Sequence, residues 1–103
     1  MSTGSIEKDG DKAVLTLKKD LVASTVNDLR TIIKEAIKDG VKIITINMAG
    51  ISVVDSMGIG LLISTQNSLA KVGGLLEIIN ISADIMDLFQ SMRLDQHFTL
   101  KGE

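Results

Sequence analysis

The stretch VKIITINMAGISVVDSMGIGLLI (residues 41–63) decides how this chain folds. Val41 to Met48 is a β-branched and almost continuously apolar run, which is typical of a central strand covered on both faces. Asp55 and Ser56 then precede a second apolar segment, which predicts a helix from Ser56 to about Val72. A strand that leads into a helix is the repeating unit of parallel α/β sheets.

The segments on either side continue this alternation. An Asp-Gly pair between strand-like runs predicts an opening hairpin, because glycine accepts the positive φ of a tight turn. A helix with Ser24 as its N-cap follows, and a third helix begins after Ser82, with Ile85, Met86, Phe89 and Met92 on its inner face. Further strands are predicted at residues 75–79 and 98–100. The order β-β-α-β-α-β-α-β predicts one α/β domain over residues 1–103, with a mixed, largely parallel sheet of four or five strands and helices packed by right-handed βα units.

The composition excludes several classes of protein. The 103 residues carry a net charge of -2 with dispersed basic residues, so a nucleic-acid-binding surface is not expected. Two Phe, no Trp and no Tyr predict an aliphatic core, and the absence of Cys excludes disulfides and thiolate metal sites. No signal-peptide pattern or apolar run of about 20 residues is present. We therefore expect a cytoplasmic protein without membrane contact.

Two glycines weaken the helix that is predicted to start at Ser56. Gly58 and Gly60 each cost about 0.8–1 kcal/mol relative to alanine in a helix interior. Two such costs in one turn indicate that a neighbouring strand, a phosphate or another protein approaches the bare backbone. Ser56 can be a purely structural N-cap, and Asp55 is favourable beside the positive end of a helix.

Three chemical interpretations of this segment compete. Residues 54–58 fall one glycine short of G-x-S-x-G, and an aspartate after Ser56 (Asp84, Asp87 or Asp95) followed by His97 would complete the chain order of a hydrolase triad. A core too small for a substrate pocket and the lack of a glycine-rich oxyanion loop disfavour a hydrolase. Asp55 as a phosphoacceptor would need a Mg²⁺ ion held by further carboxylates, which the first strands do not supply. Ser56 as a phosphoacceptor needs only an exposed hydroxyl, and phosphorylation would add roughly -1.5 to -2 charges at pH 7.

The sequence DSMGIG (residues 55–60) resembles the signature of bacterial anti-sigma factor antagonists, which belong to the STAS-domain family. Nearly the whole chain shares this resemblance. Its other matching segments are LVAST (residues 21–25), IITINMAGISVVDS (residues 43–56), the glycine pair at residues 73–74 and Arg93-Leu94-Asp95.

The resemblance implies a regulatory protein that has neither catalytic activity nor a cofactor or metal of its own. In that family, the serine after the aspartate is phosphorylated by a partner that is both anti-sigma factor and serine kinase. The unmodified antagonist binds this partner and releases sigma factor for transcription, and a metal-dependent serine phosphatase restores the bound state.

By this resemblance Ser56 is the phosphoacceptor in a partner-switching pathway. Asp55, Ser56, Met57 and Gly58 would form the contact surface, with Ser24 and Thr25 as additional partner-binding residues. The family commonly has Ser or Thr where this chain has Met57, which affects the choice of partner. The alternative is a STAS scaffold or accessory module, in a signalling complex or transport system, that no kinase controls.

Overall fold

A computed structural model describes residues 3–103. Within this range the elements occur in the predicted order, with a short 3₁₀ helix near the end. The strands are β1 (Gly4–Asp9), β2 (Lys12–Leu17), β3 (Ile43–Asn47), β4 (Leu75–Ile81) and β5 (Thr99–Gly102). The helices are α1 (Ala23–Lys38), α2 (Ser56–Ala70), α3 (Ala83–Ser91) and the 3₁₀ helix Leu94–Gln96.

The strands form one five-stranded sheet in the order β1-β2-β3-β4-β5. β1 pairs antiparallel with β2 through a tight turn in which Gly10 has a φ of +63°. The pairs β2–β3, β3–β4 and β4–β5 are parallel. The prediction of a mixed, largely parallel sheet is therefore confirmed. Since parallel strands end at the same edge, the loops after β2 and β3 lie side by side.

The core lies on one face of the sheet. Leu15, Ile46 and Ile78 are neighbours in the register of β2, β3 and β4, and all three are fully buried. Leu29 of α1 and Leu62 of α2 are buried in the same cluster. Most of the cluster is aliphatic, as the composition predicts, and it fixes the helices that carry the candidate site.

The opposite face of the sheet is partly open. The prediction that β3 is covered on both faces is wrong, because Ile43 and Thr45 are only half-buried while Ile44 and Ile46 are inaccessible. Polar residues alternate with apolar ones across the open face, where Thr45 pairs with Val14 on one side and Glu77 on the other. Such a mixed face tolerates water, which a uniformly apolar face would not.

Two details of the helix ends also differ from the predictions. Ser24 is not the N-cap of α1; Val22 holds that position, and its N–H donates to Thr25 Oγ1 at 3.1 Å. Ser82 does cap α3, but Met92 lies beyond the helix and is exposed. Arg93 has a φ of +59°, which turns the chain so that the next residue, rather than Met92, is buried. Among residues 3–103, no helix combines the length and apolarity that crossing a bilayer requires.

Candidate functional site

The loops that follow β2 and β3 are joined along their backbones. Leu21 and Val54 form an isolated parallel bridge beyond the two strands. The N–H of Leu21 donates to the Val53 carbonyl at 3.1 Å, and the N–H of Asp55 donates to the Leu21 carbonyl at 3.2 Å. The bridge continues the parallel pairing of the sheet up to the first residue of α2. The side chain of Leu21 is buried in the core.

Each loop also supplies a carboxylate to the backbone of the other. Asp20 Oδ1 accepts hydrogen bonds from the N–H groups of Ser52 at 3.0 Å and Val53 at 3.2 Å. Asp55 Oδ2 accepts the N–H of Ala23, the first residue of α1, at 3.0 Å. These reciprocal bonds satisfy donors that have no partner within their own segments and fix the two loops relative to each other.

Asp55 is the N-cap of α2, since its Oδ1 accepts the N–H of Gly58 at 3.0 Å. The positive N-terminal ends of α1 and α2 thus converge on a single carboxylate, an arrangement that favours a negative charge. The pKa of the Asp55 carboxyl is held below its usual value, chiefly by the hydrogen bond from Gly58. Desolvation of the carboxylate acts in the opposite direction, and the hydrogen bond from Ala23 lowers the pKa further.

Ser56 is therefore the first residue of α2 and not its N-cap, contrary to the structural interpretation of the sequence. Asp55 performs this role because a carboxylate has two oxygens, of which Oδ1 caps α2 and Oδ2 accepts the N–H of Ala23. The single oxygen of a serine hydroxyl could not bond both N–H groups in this way. The Ser56 side chain is exposed, and within residues 3–103 its hydroxyl makes no hydrogen bond. The hydroxyl is thus accessible for modification.

The two glycines of α2 have different environments. A Cβ on Gly58 would overlap the carbonyl oxygen of Leu21 and lie 2.8 Å from Leu21 Cγ, so the bridge between the loops requires glycine there. Gly60 is exposed, and a Cβ added to it would meet nothing within 4 Å. Close packing inside the chain explains only the first glycine.

The predicted contact residues divide into exposed and buried sets. Met57 is 51% exposed, and Ser24 is exposed directly after Ala23, which is bonded to Asp55. Gly58 and Thr25 are buried. Thr25 Oγ1 donates to the Asp20 carbonyl at 2.7 Å, so it holds the loop and offers no surface to a partner.

The structure adds two residues to this site that were not predicted from the sequence. Val53 is 49% exposed next to the Asp20 carboxylate, which binds its N–H. Asp20 is the second added residue. Its position after β2 could have indicated that it belongs to the site, because β2 and β3 end at the same edge in a parallel sheet.

The hydrolase interpretation conflicts with the topology. His97 lies two residues before β5 and therefore at the amino ends of the parallel strands, whereas Ser56 lies beyond the carboxyl end of β3. His97 lines a shallow depression of about 470 Å³ with Gln66, Leu75 and neighbouring residues. No group of three acidic or histidine side chains within residues 3–103 is placed to hold a metal ion.

Comparisons with known proteins agree with this architecture. The chain matches the family model described as "STAS domain" over residues 5–102. A candidate anti-sigma factor antagonist from Thermotoga maritima superimposes with a TM-score of 0.89 at 14% identity, covering 97% of this chain and 86% of the other. The phosphorylated form of the Bacillus cell fate determinant SpoIIAA gives a TM-score of 0.77 at 25% identity, covering 97% and 92%. No curated protein matches.

The fold and the paired loops define a small α/β domain with two helix N-termini at one edge of a five-stranded sheet. The chain belongs to the STAS domain family, as the match over nearly its full length shows. The same fold occurs in the murine anion transporter Slc26a9, which superimposes with a TM-score of 0.76 at 19% identity. That match covers 94% of this chain but 17% of the transporter.

Proposed function

We propose that this protein is an anti-sigma factor antagonist that works by partner switching in the bacterial cytoplasm. Its unphosphorylated form binds a serine-kinase anti-sigma factor and releases sigma factor, and phosphorylation of Ser56 ends the binding. The observation that carries the proposal is the exposed, unbonded Ser56 hydroxyl beside a carboxylate that already caps α2. The solved structures that share this fold include anti-sigma factor antagonists, which supports the proposal.

The geometry explains how one phosphate would end binding without unfolding the domain. Phosphorylation adds roughly -1.5 to -2 charges at pH 7. The Asp55 carboxylate already accepts the N–H groups of Gly58 and Ala23, so the phosphate would add like charge beside these bonds. Val53, three residues before the serine, and Met57, directly after it, are exposed and would bury apolar surface against a partner. A phosphate there must be desolvated on binding, which opposes the complex.

The proposed cycle assigns all catalysis to the partners. His97 lies at the opposite edge of the sheet from Ser56, and the Asp55 carboxylate is already engaged by the N–H groups of Gly58 and Ala23, so we assign both the base and ATP to the kinase. A metal-dependent serine phosphatase would remove the phosphate and restore binding. We propose that the chain itself uses no cofactor and no metal ion.

Phosphorylation at Ser56 can be tested directly with purified kinase-type anti-sigma factors of the source organism. Incubation with ATP is expected to add one phosphate to the wild-type chain and none to Ser56→Ala, as measured by intact mass. Ser91→Ala is the matched control, because Ser91 is also an exposed serine, lies at the end of α3 outside the proposed contact surface, and should leave phosphorylation unchanged. A wild type that gains no phosphate, or a Ser56→Ala variant that gains as much, would contradict the proposal.

The electrostatic part of the switch predicts that Ser56→Asp binds the anti-sigma factor at least about tenfold more weakly, equivalent to 1.4 kcal/mol. Ser56→Asn has a side chain of the same size without the charge and should bind more tightly than Ser56→Asp. Isothermal titration calorimetry against the kinase with a non-hydrolysable ATP analogue measures both. Equal affinities for the two variants would exclude charge as the cause.

A constitutive scaffold or transport-accessory module is the second candidate. This candidate is supported by the similarity of the fold to part of an anion transporter. Such a module would bind its partner equally well as wild type, Ser56→Asp or Ser56→Asn, and no kinase would modify it. The two experiments above therefore separate the candidates.

A further inference from the structure

A groove between α1 and α2 has cations on one wall and hydroxyl groups on the other. Its volume is about 220 Å³, and the buried side chains of Ile33 and Leu61 contribute to its lining. Arg30 and Lys34 belong to the α1 wall, and the hydroxyls on the α2 wall include those of Ser64 and Ser68. Among residues 3–103, no acidic side chain lines this groove, so its electrostatic potential favours anions.

The four polar side chains are arranged in two steps along the groove. At the first step, Arg30 Nη1 donates to Ser64 Oγ at 3.4 Å. Because α1 and α2 each connect two parallel strands, the helices run in the same direction. Lys34 and Ser68 each lie four residues later, which is one turn or about 6 Å further along both helices. The groove therefore offers a cation and a hydroxyl twice in succession.

Ser64 orients the guanidinium of Arg30 without neutralising its charge. Ser64 Oγ donates to the Leu61 carbonyl at 3.0 Å while it accepts the bond from Arg30. Arg30 is half-buried, and within residues 3–103 this is its only hydrogen bond. A guanidinium has five N–H donors, so four of them remain available to a ligand.

The two cations are not compensated by charges within the described part of the chain. Lys34 lies four residues after Arg30 in α1, a spacing at which like charges destabilise a helix. Neither takes part in the two ion pairs of residues 3–103, so neither has a carboxylate partner there. An anion bound between them would relieve their repulsion and supply the acceptors that both cations lack.

We propose that the groove between α1 and α2 is a binding site for a small dianion. One anionic group would bind the free donors of Arg30, and the second would bind Lys34 and the Ser68 hydroxyl. This hydroxyl is exposed and makes no hydrogen bond within residues 3–103, so it can donate to a ligand. Two anionic groups joined by a short chain are found in diphosphates and in dicarboxylates, and the donors of the groove suit both.

The proposed ligand site is separate from the phosphoacceptor. Ser64 lies eight residues after Ser56 in α2, which is about 12 Å along the helix axis. The proposal therefore does not depend on the proposed function, and its test requires only the purified chain.

Nuclear magnetic resonance titration at low ionic strength tests the site with two dianions, inorganic pyrophosphate and glutarate. We expect saturable shifts of the Arg30 Nε–H and of the Lys34 and Ser68 amides. The better dianion should bind at least about tenfold more tightly than its singly anchored counterpart, orthophosphate or acetate. Tighter binding of pyrophosphate would assign the site to phosphate compounds, and tighter binding of glutarate to dicarboxylates. No saturable shift with either dianion, or equal affinity for the counterparts, would overturn the proposal.

Three variants separate a specific site from general attraction between charges. Arg30→Gln and Lys34→Gln should each weaken binding of the better dianion at least about tenfold. Lys12→Gln removes the same charge and is the matched control: Lys12 lies on the opposite face of the sheet, since its neighbour Ala13 faces the core. An equal loss in Lys12→Gln, or no loss in Lys34→Gln, would disprove the site. Lys34 is exposed, so its variant tests the groove even if Arg30→Gln disturbs folding.

Discussion

Gly58→Ala is expected to lower the free energy of unfolding by about 3 kcal/mol, at the upper end of the usual cost of overpacking. The added Cβ would overlap the carbonyl oxygen of Leu21, which accepts the N–H of Asp55. Backbone atoms cannot rotate away as a flexible side chain can, so either the bridge between the loops or the first turn of α2 must move. For a domain of this size the corresponding drop in melting temperature is roughly 10–20 °C.

Circular dichroism during thermal and urea unfolding would measure the effect of Gly58→Ala. Gly60→Ala is its natural control, because the same substitution two residues later meets open space and should not lower stability. The opposite responses of two glycines in one helix turn would show that the close approach of Leu21, and not helix propensity, determines the outcome. A Gly58→Ala variant that melts with the wild type would mean that this approach is absent in solution.

Asp55→Ala is expected to lower the melting temperature by several degrees and to weaken binding of the anti-sigma factor. The substitution removes the N-cap of α2 and leaves the N–H of Ala23 without its acceptor, so both loops lose a constraint. Asp55→Asn retains one acceptor oxygen and should lie between wild type and Asp55→Ala. Thermal unfolding and calorimetric titration measure the two effects. Unchanged melting of Asp55→Ala would show that the shared cap contributes nothing.

The charge of Asp55 also predicts a dependence on pH. The hydrogen bonds from Gly58 and Ala23 keep the pKa of the folded carboxyl below its value in the unfolded chain. The unfolded state therefore takes up a proton first as the pH falls, so the stabilisation is complete above the ordinary carboxyl range near pH 4 and is lost below it. The difference in stability between wild type and Asp55→Asn should be constant from neutral pH to about pH 5, then shrink. Asp39, whose pKa is lowered by its bond to Lys8, is common to both proteins and cancels.

Much of the fold follows from local patterns in the sequence. The opening hairpin is determined by an Asp-Gly turn, and the strands and helices by apolar residues at two- and three-to-four-residue spacing. These signals act over a few residues and are readable without the structure. The same reasoning places Asp55 and Ser56 at the carboxyl edge of the sheet, since the strand before them belongs to a parallel pair.

The details of the site depend on contacts between distant segments, which a single sequence does not reveal. Both Asp55 and Ser56 are suitable N-caps, and the choice between them is made by Ala23, which lies 32 residues away in the chain. The need for glycine at position 58 likewise depends on Leu21, in the other loop. Thr25 looks like an exposed loop residue in the sequence, yet its hydroxyl is held by the Asp20 carbonyl.

The bridge between Leu21 and Val54 makes the length of the loop over residues 48–55 part of the site. The Asp20 carboxylate accepts the N–H of Ser52 and the Asp55 carboxylate accepts the N–H of Ala23, and these two bonds fix both ends of the bridge. Inserting or deleting one residue would pair the wrong backbone groups and turn the hydroxyl of Ser56 to a different side of α2. The spacing between the end of β3 and Ser56 is thus constrained as tightly as the identity of the serine itself.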